Sequence, residues 1–84
     1  MAGTVHTKAH REILSALVEL RDKAGLSQAA LAKLLHKPAS FVGKYELGER
    51  RLDLVEIIVI CGALKHDPVQ FMRHAIEICE RETG

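Results

Sequence analysis

Between Ser27 and Gly48 two short helical segments are separated by a turn of only three residues, and that spacing limits the folds open to the chain more than any other feature. Ser27 is a ready N-cap, because its side-chain oxygen can accept from a backbone N–H that the first helical turn leaves unpaired. Residues 28–35 follow, where Ala29, Ala30, Leu31, Ala32, Leu34 and Leu35 are strong helix formers and the small alanines let another helix approach closely. His36-Lys37-Pro38 interrupts the pattern, and proline, with φ fixed and no N–H to donate, suits the first turn of the next helix. That helix is expected over residues 39–47, and Gly48 stops it.

The rest of the chain reads as helix on either side of this pair. Residues 8–23 carry Ile13, Leu14, Leu17 and Leu20 on one face, and Ala24-Gly25 ends the segment. Asp53 can cap a fourth helix over residues 54–64, whose Leu54, Val55, Ile57, Ile58, Ile60 and Cys61 leave little polar surface, so it is expected to be the central, buried helix. Asp67 and Pro68 open a fifth helix running to about Arg81, with Phe71, Met72, Ala75, Ile76 and Cys79 recurring at helical intervals. No strand signal is present, so the fold class is all-α. Two helices of about eight residues joined by three is the spacing of a helix-turn-helix.

Eighty-four residues, 48% of them hydrophobic, suffice for one small core without disulfides or metal. Neither an internal repeat nor a linker divides the chain, so residues 8–84 are expected to form a single domain behind a flexible tail of residues 1–7. No run approaches the roughly 20 apolar residues of a membrane span, and Met1 to Thr7 lack the apolar stretch of a secretory signal, so a cytoplasmic, nucleoid-associated protein is expected. Cys61 and Cys79 both fall within apolar helical patterns and read as buried small hydrophobes. The net charge of +1 is uninformative, but its distribution is not. From Lys33 to Arg51 five basic residues face two acidic ones, a net of +3, and from Leu52 to Gly84 three basic residues face six acidic ones, a net of −3. A basic middle and an acidic tail imply one face for phosphate and another for something else.

Several short pieces now fall in a recognisable order: Leu20-Arg21-Asp22-Lys23-Ala24-Gly25-Leu26-Ser27-Gln28, then Leu31-Ala32, then Ser40-Phe41-Val42, then Tyr45-Glu46-Leu47-Gly48-Glu49-Arg50, then Leu54 and the region from Leu64 to Phe71. In this order and spacing they resemble the XRE-type helix-turn-helix domains of phage repressors and Cro proteins, over about residues 17–71. The resemblance implies a compact five-helix bundle of the lambda-repressor-like DNA-binding type. It also implies that the third helix enters the major groove, with Ala39, Ser40 and Lys44 at base-contacting positions. Ser40 and Lys44 lie four apart on one face, and lysine can donate to guanine O6 or N7, serine to several bases, while alanine can touch a thymine methyl. Phe41 can either pack inward or meet a thymine methyl. Gly43 departs from the polar residue common in the family and costs about 1 kcal/mol of helix stability relative to alanine.

Gln28, beside the cap Ser27 at the positive end of the second helix, matches the glutamine that grips the DNA backbone in the family. Lys37, Arg50 and Arg51, with His36, are placed to reach flanking phosphates. Arg21 and Glu46 match a buried ion pair that joins the first helix to the end of the third in similar repressors.

His6, His10, His36, His66 and His74 form no ligand set with the two cysteines, and no phosphate loop, nucleophile elbow or zinc-protease motif is present. Neither an enzyme nor a cofactor-dependent protein is expected, and no small-molecule ligand or membrane partner is evident. The apolar surplus of the fifth helix, Val69, Met72, Ile76, Ile78 and Cys79, points to a homodimer, with Val69, Met72, Ile76 and Cys79 at its interface. The expected function is a transcription regulator similar to Cro-type repressors and restriction-modification controllers, acting as a homodimer on palindromic double-stranded DNA and either repressing by excluding polymerase or activating by touching it. The competing expectation is an antitoxin or adaptor whose main task is binding a partner protein.

Overall fold

Four side-chain caps start four of the five helices. In the computed structural model, which describes residues 7–83, Thr7 Oγ1 accepts from the His10 amide at 3.1 Å and starts α1, Lys8–Lys23. Ser27 Oγ accepts from the Ala30 amide at 3.0 Å and starts α2, Gln28–Leu34. Asp53 starts α4, Leu54–Ala63, with a reciprocal box in which Asp53 accepts from the Glu56 amide at 2.7 Å and Glu56 from the Asp53 amide at 3.0 Å. Asp67 accepts from the Val69 amide at 2.9 Å at the start of α5, Pro68–Thr83. The exception is α3, Ser40–Glu46, which has no side-chain cap; Pro38 stands outside it and its carbonyl accepts from the Phe41 amide. The tail expected over residues 1–7 lies outside the described residues except for Thr7.

All four helices α1 to α4 end in the same way. The second residue past the cap donates to the carbonyl five residues before it, Leu26 to Arg21, Lys37 to Ala32, Glu49 to Lys44 and His66 to Cys61, and the residue before it adopts a left-handed backbone. Gly25 and Gly48 do this at φ of 74° and 82°, where glycine meets no Cβ clash. His36 and Lys65 do it at 57°, where a side chain is strained. Those two turns were legible in the sequence only as interruptions, because the residue that marks such a cap is absent.

The core is a single cluster drawn from every helix: Leu14 and Leu17 of α1, Leu31 and Ala32 of α2, Phe41, Val42 and Tyr45 of α3, Ile60 and Cys61 of α4, and Phe71 of α5, closed by Leu35 and Leu64. Each fully buried leucine or isoleucine contributes roughly 1.5 to 3 kcal/mol. α1 packs on α3 and α5, α2 on α3, and α4 on α5. Glu82 near the end of α5 accepts from the Ala9 amide at 2.7 Å and Arg81 reaches Glu12 at 3.1 Å, so the last helix ties down the start of the first. No strand occurs among the described residues.

Three expectations of burial are corrected. α4 is not the central helix: Leu54, Val55, Ile58 and Val59 are 57, 67, 44 and 51% exposed, and within it only Ile60 and Cys61 are buried. An all-apolar helix reveals that it dislikes water but not which of its sides this chain covers. Ile78 is buried rather than part of the surplus surface, and Cys79 is exposed whereas Cys61 is buried. Along α5 these two neighbours lie about 100° apart, so one faces inward and the other outward.

Replacing Lys65 by glycine relieves the left-handed strain at the end of α4. Urea denaturation of Lys65→Gly is expected to show a gain of about 0.5 to 1 kcal/mol; a loss would contradict this account of the turn.

Candidate nucleic-acid interface

The position of α3 is set by an ion-pair cluster at its C-terminal end. Arg21 of α1 donates from Nε to Glu46 Oε2 at 2.7 Å and from Nη2 to Oε1 at 3.2 Å, while Nη1 holds the Leu26 carbonyl at 2.9 Å. The two side chains are 12 and 7% exposed, so the pair is desolvated but geometrically complete. The Glu46 hydrogen bond holds the Arg21 pKa above its ordinary value against the opposing cost of burial. Gln28 adds a third donor, Nε2 to Glu46 Oε1 at 2.8 Å, which links the start of α2 to the end of α3.

That third bond explains Gly43. A Cβ at this position would lie 3.3 Å from Gln28 Oε1, so the missing side chain gives the Gln28 carboxamide its seat across α3. Gln28 uses one amide hydrogen on Glu46, and an amide carries two, which leaves one to offer outward. The α3 side chains that fill the core, Val42 and Tyr45, are fully buried; the Tyr45 hydroxyl finds no hydrogen-bond partner among the described residues, and burial raises its pKa well above the ordinary value.

Phe41 belongs to the core, not to the exposed face of α3. It is 7% exposed and meets the Tyr45 ring edge-on at 5.5 Å, which removes it from the expected base contacts. In the helix Phe41, Val42 and Tyr45 share one face, and that face is the one α1 and α2 cover. The ring has two cations over it, Lys37 Nζ at 5.3 Å and Arg50 Cζ at 4.9 Å from its centroid. Arg50 in turn forks onto Glu56 of α4 through Nη1 at 3.0 Å and Nη2 at 2.8 Å, and Nη1 also donates to the Arg51 carbonyl at 2.7 Å. These bonds hold the Glu56 carboxyl below its usual pKa, with the Arg50 contact the larger cause and the Asp53 amide the next.

The remaining expected residues lie on the outside. Ala39, Ser40 and Lys44 are exposed, as are Ser27, Gln28, Lys37 and Arg51. Ser40 and Lys44 stand one above the other on α3, with Ala39 just before the helix and Lys37 in the turn that leads to it. The roles of Gly43 and Glu56 were missed in the sequence. Glu56 had a signal, since aspartate followed three residues later by glutamate is a capping-box spacing; Gly43 had none, because its neighbour comes from another helix.

Residues 17–70, which include this whole arrangement, match the helix-turn-helix family model. The chain belongs to the XRE-type helix-turn-helix family. Among solved structures it is similar to an XRE-family like protein from Pseudomonas syringae pv. tomato, with 36% identity and a TM-score of 0.82 over 89% of this chain and 92% of that one. No curated protein matches. The XRE-type fold is that of DNA-binding regulators and not of an enzyme family, so the chain is a DNA-binding regulator. No helix among the described residues is long and apolar enough to cross a membrane.

Glu46→Ala removes the buried carboxylate and leaves the desolvated Arg21 guanidinium with only the Leu26 carbonyl and the exposed Asp22 carboxylate. It is expected to lower stability by about 3 to 5 kcal/mol in chemical denaturation, while the base preference of whatever folded protein remains is unchanged. An unaltered unfolding midpoint would remove the cluster from its structural role.

Proposed function

We propose that this protein is a sequence-specific transcription regulator that binds a palindromic operator as a homodimer and represses by occupying it. The observation that carries the reading is the outward row of Ala39, Ser40 and Lys44 on and before a helix whose opposite face is locked into the core. Lys44 donates to guanine in the major groove, Ser40 to a neighbouring base, and Ala39 touches a thymine methyl. Around this row, phosphates are held by Gln28 through its spare amide hydrogen, by the Ser27 hydroxyl, whose oxygen already accepts from Ala30, and by Lys37, Arg50 and Arg51. Base contacts from this short row are few, so DNA shape supplies part of the discrimination.

The homodimer uses α5. Val69, Met72, Ile76 and Cys79 follow one another at three or four residues along one side of the helix; Val69, Ile76 and Cys79 are exposed and Met72 is half-buried. Beside them a groove between α4 and α5 is lined by Leu54, Ile57, Met72, Ala75, Ile76 and Cys79. This apolar surface sits in the acidic part of the chain, away from the basic residues that would face phosphate. Pairing two copies sets two reading helices about one helical turn of DNA apart, which gives the operator its two-fold symmetry.

In vitro site selection is expected to return a two-fold symmetric motif, and Lys44→Ala is expected to cost about 1 to 3 kcal/mol at that motif and little at unrelated duplexes. Failure to bind any member of a randomised duplex pool at low salt would replace this reading with the adaptor function. Ile76→Asp places a charge in the paired surface and is expected to yield monomers by sedimentation, with weakened binding to the full motif but not to a half-site. A dimer that survives this substitution would move the interface elsewhere.

A further inference from the structure

Arg50 is held more completely than a loop cation needs to be. Its side chain is still 41% exposed, yet the guanidinium is fixed in three ways: the terminal pair of nitrogens forks onto both Glu56 oxygens, Nη1 also holds the Arg51 carbonyl, and the planar group lies over the Phe41 ring. An arginine has five N–H donors, and these contacts use three. The two that remain, Nε–H and the second hydrogen of Nη2, lie together along the side edge of the group, which is the other edge that can grip an oxyanion with two parallel bonds. Phe41 is an α3 residue, so this edge is carried in register with the helix that holds Ser40 and Lys44.

We infer that Glu56 of α4 and Phe41 of α3 are positioning residues that pre-set Arg50, so that its free side edge clamps one DNA phosphate beside the reading helix. This deepens the proposed DNA-binding function and rests on it. Neither positioning residue touches DNA. Glu56 holds the end of the guanidinium, Phe41 its face, and the ordering cost of a long side chain is met before DNA arrives. Glu56 does this from the helix whose start it also caps, so the angle between loop and helix is fixed by the same carboxylate that aims the cation.

The test is direct because simple electrostatics predicts the opposite sign. Glu56→Gln keeps a residue that serves the capping box, so the fold is preserved, and thermal unfolding verifies this. It also removes a negative charge close to DNA and frees a cation, which without positioning would tighten binding. The inference predicts instead that Glu56→Gln weakens binding about fivefold to tenfold on both the selected site and a random-sequence duplex, since phosphate contacts do not read sequence. Arg50→Ala is expected to do the same and to lower the salt dependence by about one phosphate contact per protomer, and Glu56→Gln added to Arg50→Ala is expected to have no further effect. Arg50→Lys, which keeps charge but loses the two-pronged edge, is expected not to restore affinity. Unchanged or tighter binding by Glu56→Gln, or an equal loss in the Arg50→Ala background, would overturn the inference while leaving the DNA-binding reading intact. Absence of binding by the unsubstituted protein to both duplexes would overturn both.

Discussion

The desolvated bidentate pair between Arg21 and Glu46 is the constraint on which the rest of this molecule depends. It fastens the last turn of α3 to α1, while Arg21 also holds the Leu26 carbonyl in the turn before α2. Since α3 has no side-chain cap and carries a glycine in its middle, its own helical propensity is poor. What makes it rigid is tertiary: Val42 and Tyr45 buried on one side, the Arg21 fork at one end, and the Arg50 and Lys37 cations over Phe41 at the other. A helix that is firm through its neighbours can leave its outer face to small and polar residues.

The same economy explains the uneven use of apolar residues. The core takes one face from α1, α2, α3 and α5 but only the last part of α4, and leaves Leu54, Val55, Ile58 and Val59 in water. For a chain of this length a single core gives modest stability. Of these four, Leu54 lines the groove between α4 and α5, while Val55 and Val59 line a second groove beside Lys37 and Phe41.

The helices were legible because their starts and stops are written in local chemistry. Ser27, Asp53 and Asp67 cap where their side chains suggest, Gly25 and Gly48 end helices where a left-handed residue is needed, and observed boundaries differ from expectation by at most two residues. His36 and Lys65 show the limit of that local code, since the same turn forms there without glycine. Burial was less legible. The side taken by Phe41 and the exposure of α4 depend on which helices cover them, and periodicity in a wholly apolar segment points nowhere. The candidate site was named in the sequence through its resemblance to a family, which implied Ser40, Lys44 and Gln28, and the structure leaves all three exposed. The Gln28–Glu46 bond, the seat at Gly43 and the Arg50–Glu56 fork needed coordinates, because each joins residues from different elements.

The central claim is that α3 and the cations around it form the surface that meets duplex DNA. Backbone amide chemical shifts followed during titration with a selected duplex test it most directly. The account predicts that the largest changes fall on Ser27, Gln28, Lys37 to Lys44 and Arg50 to Arg51, with the outer side of α5 at Val69 and Ile76 unaffected. Changes concentrated on α5, or none at all near α3, would contradict it.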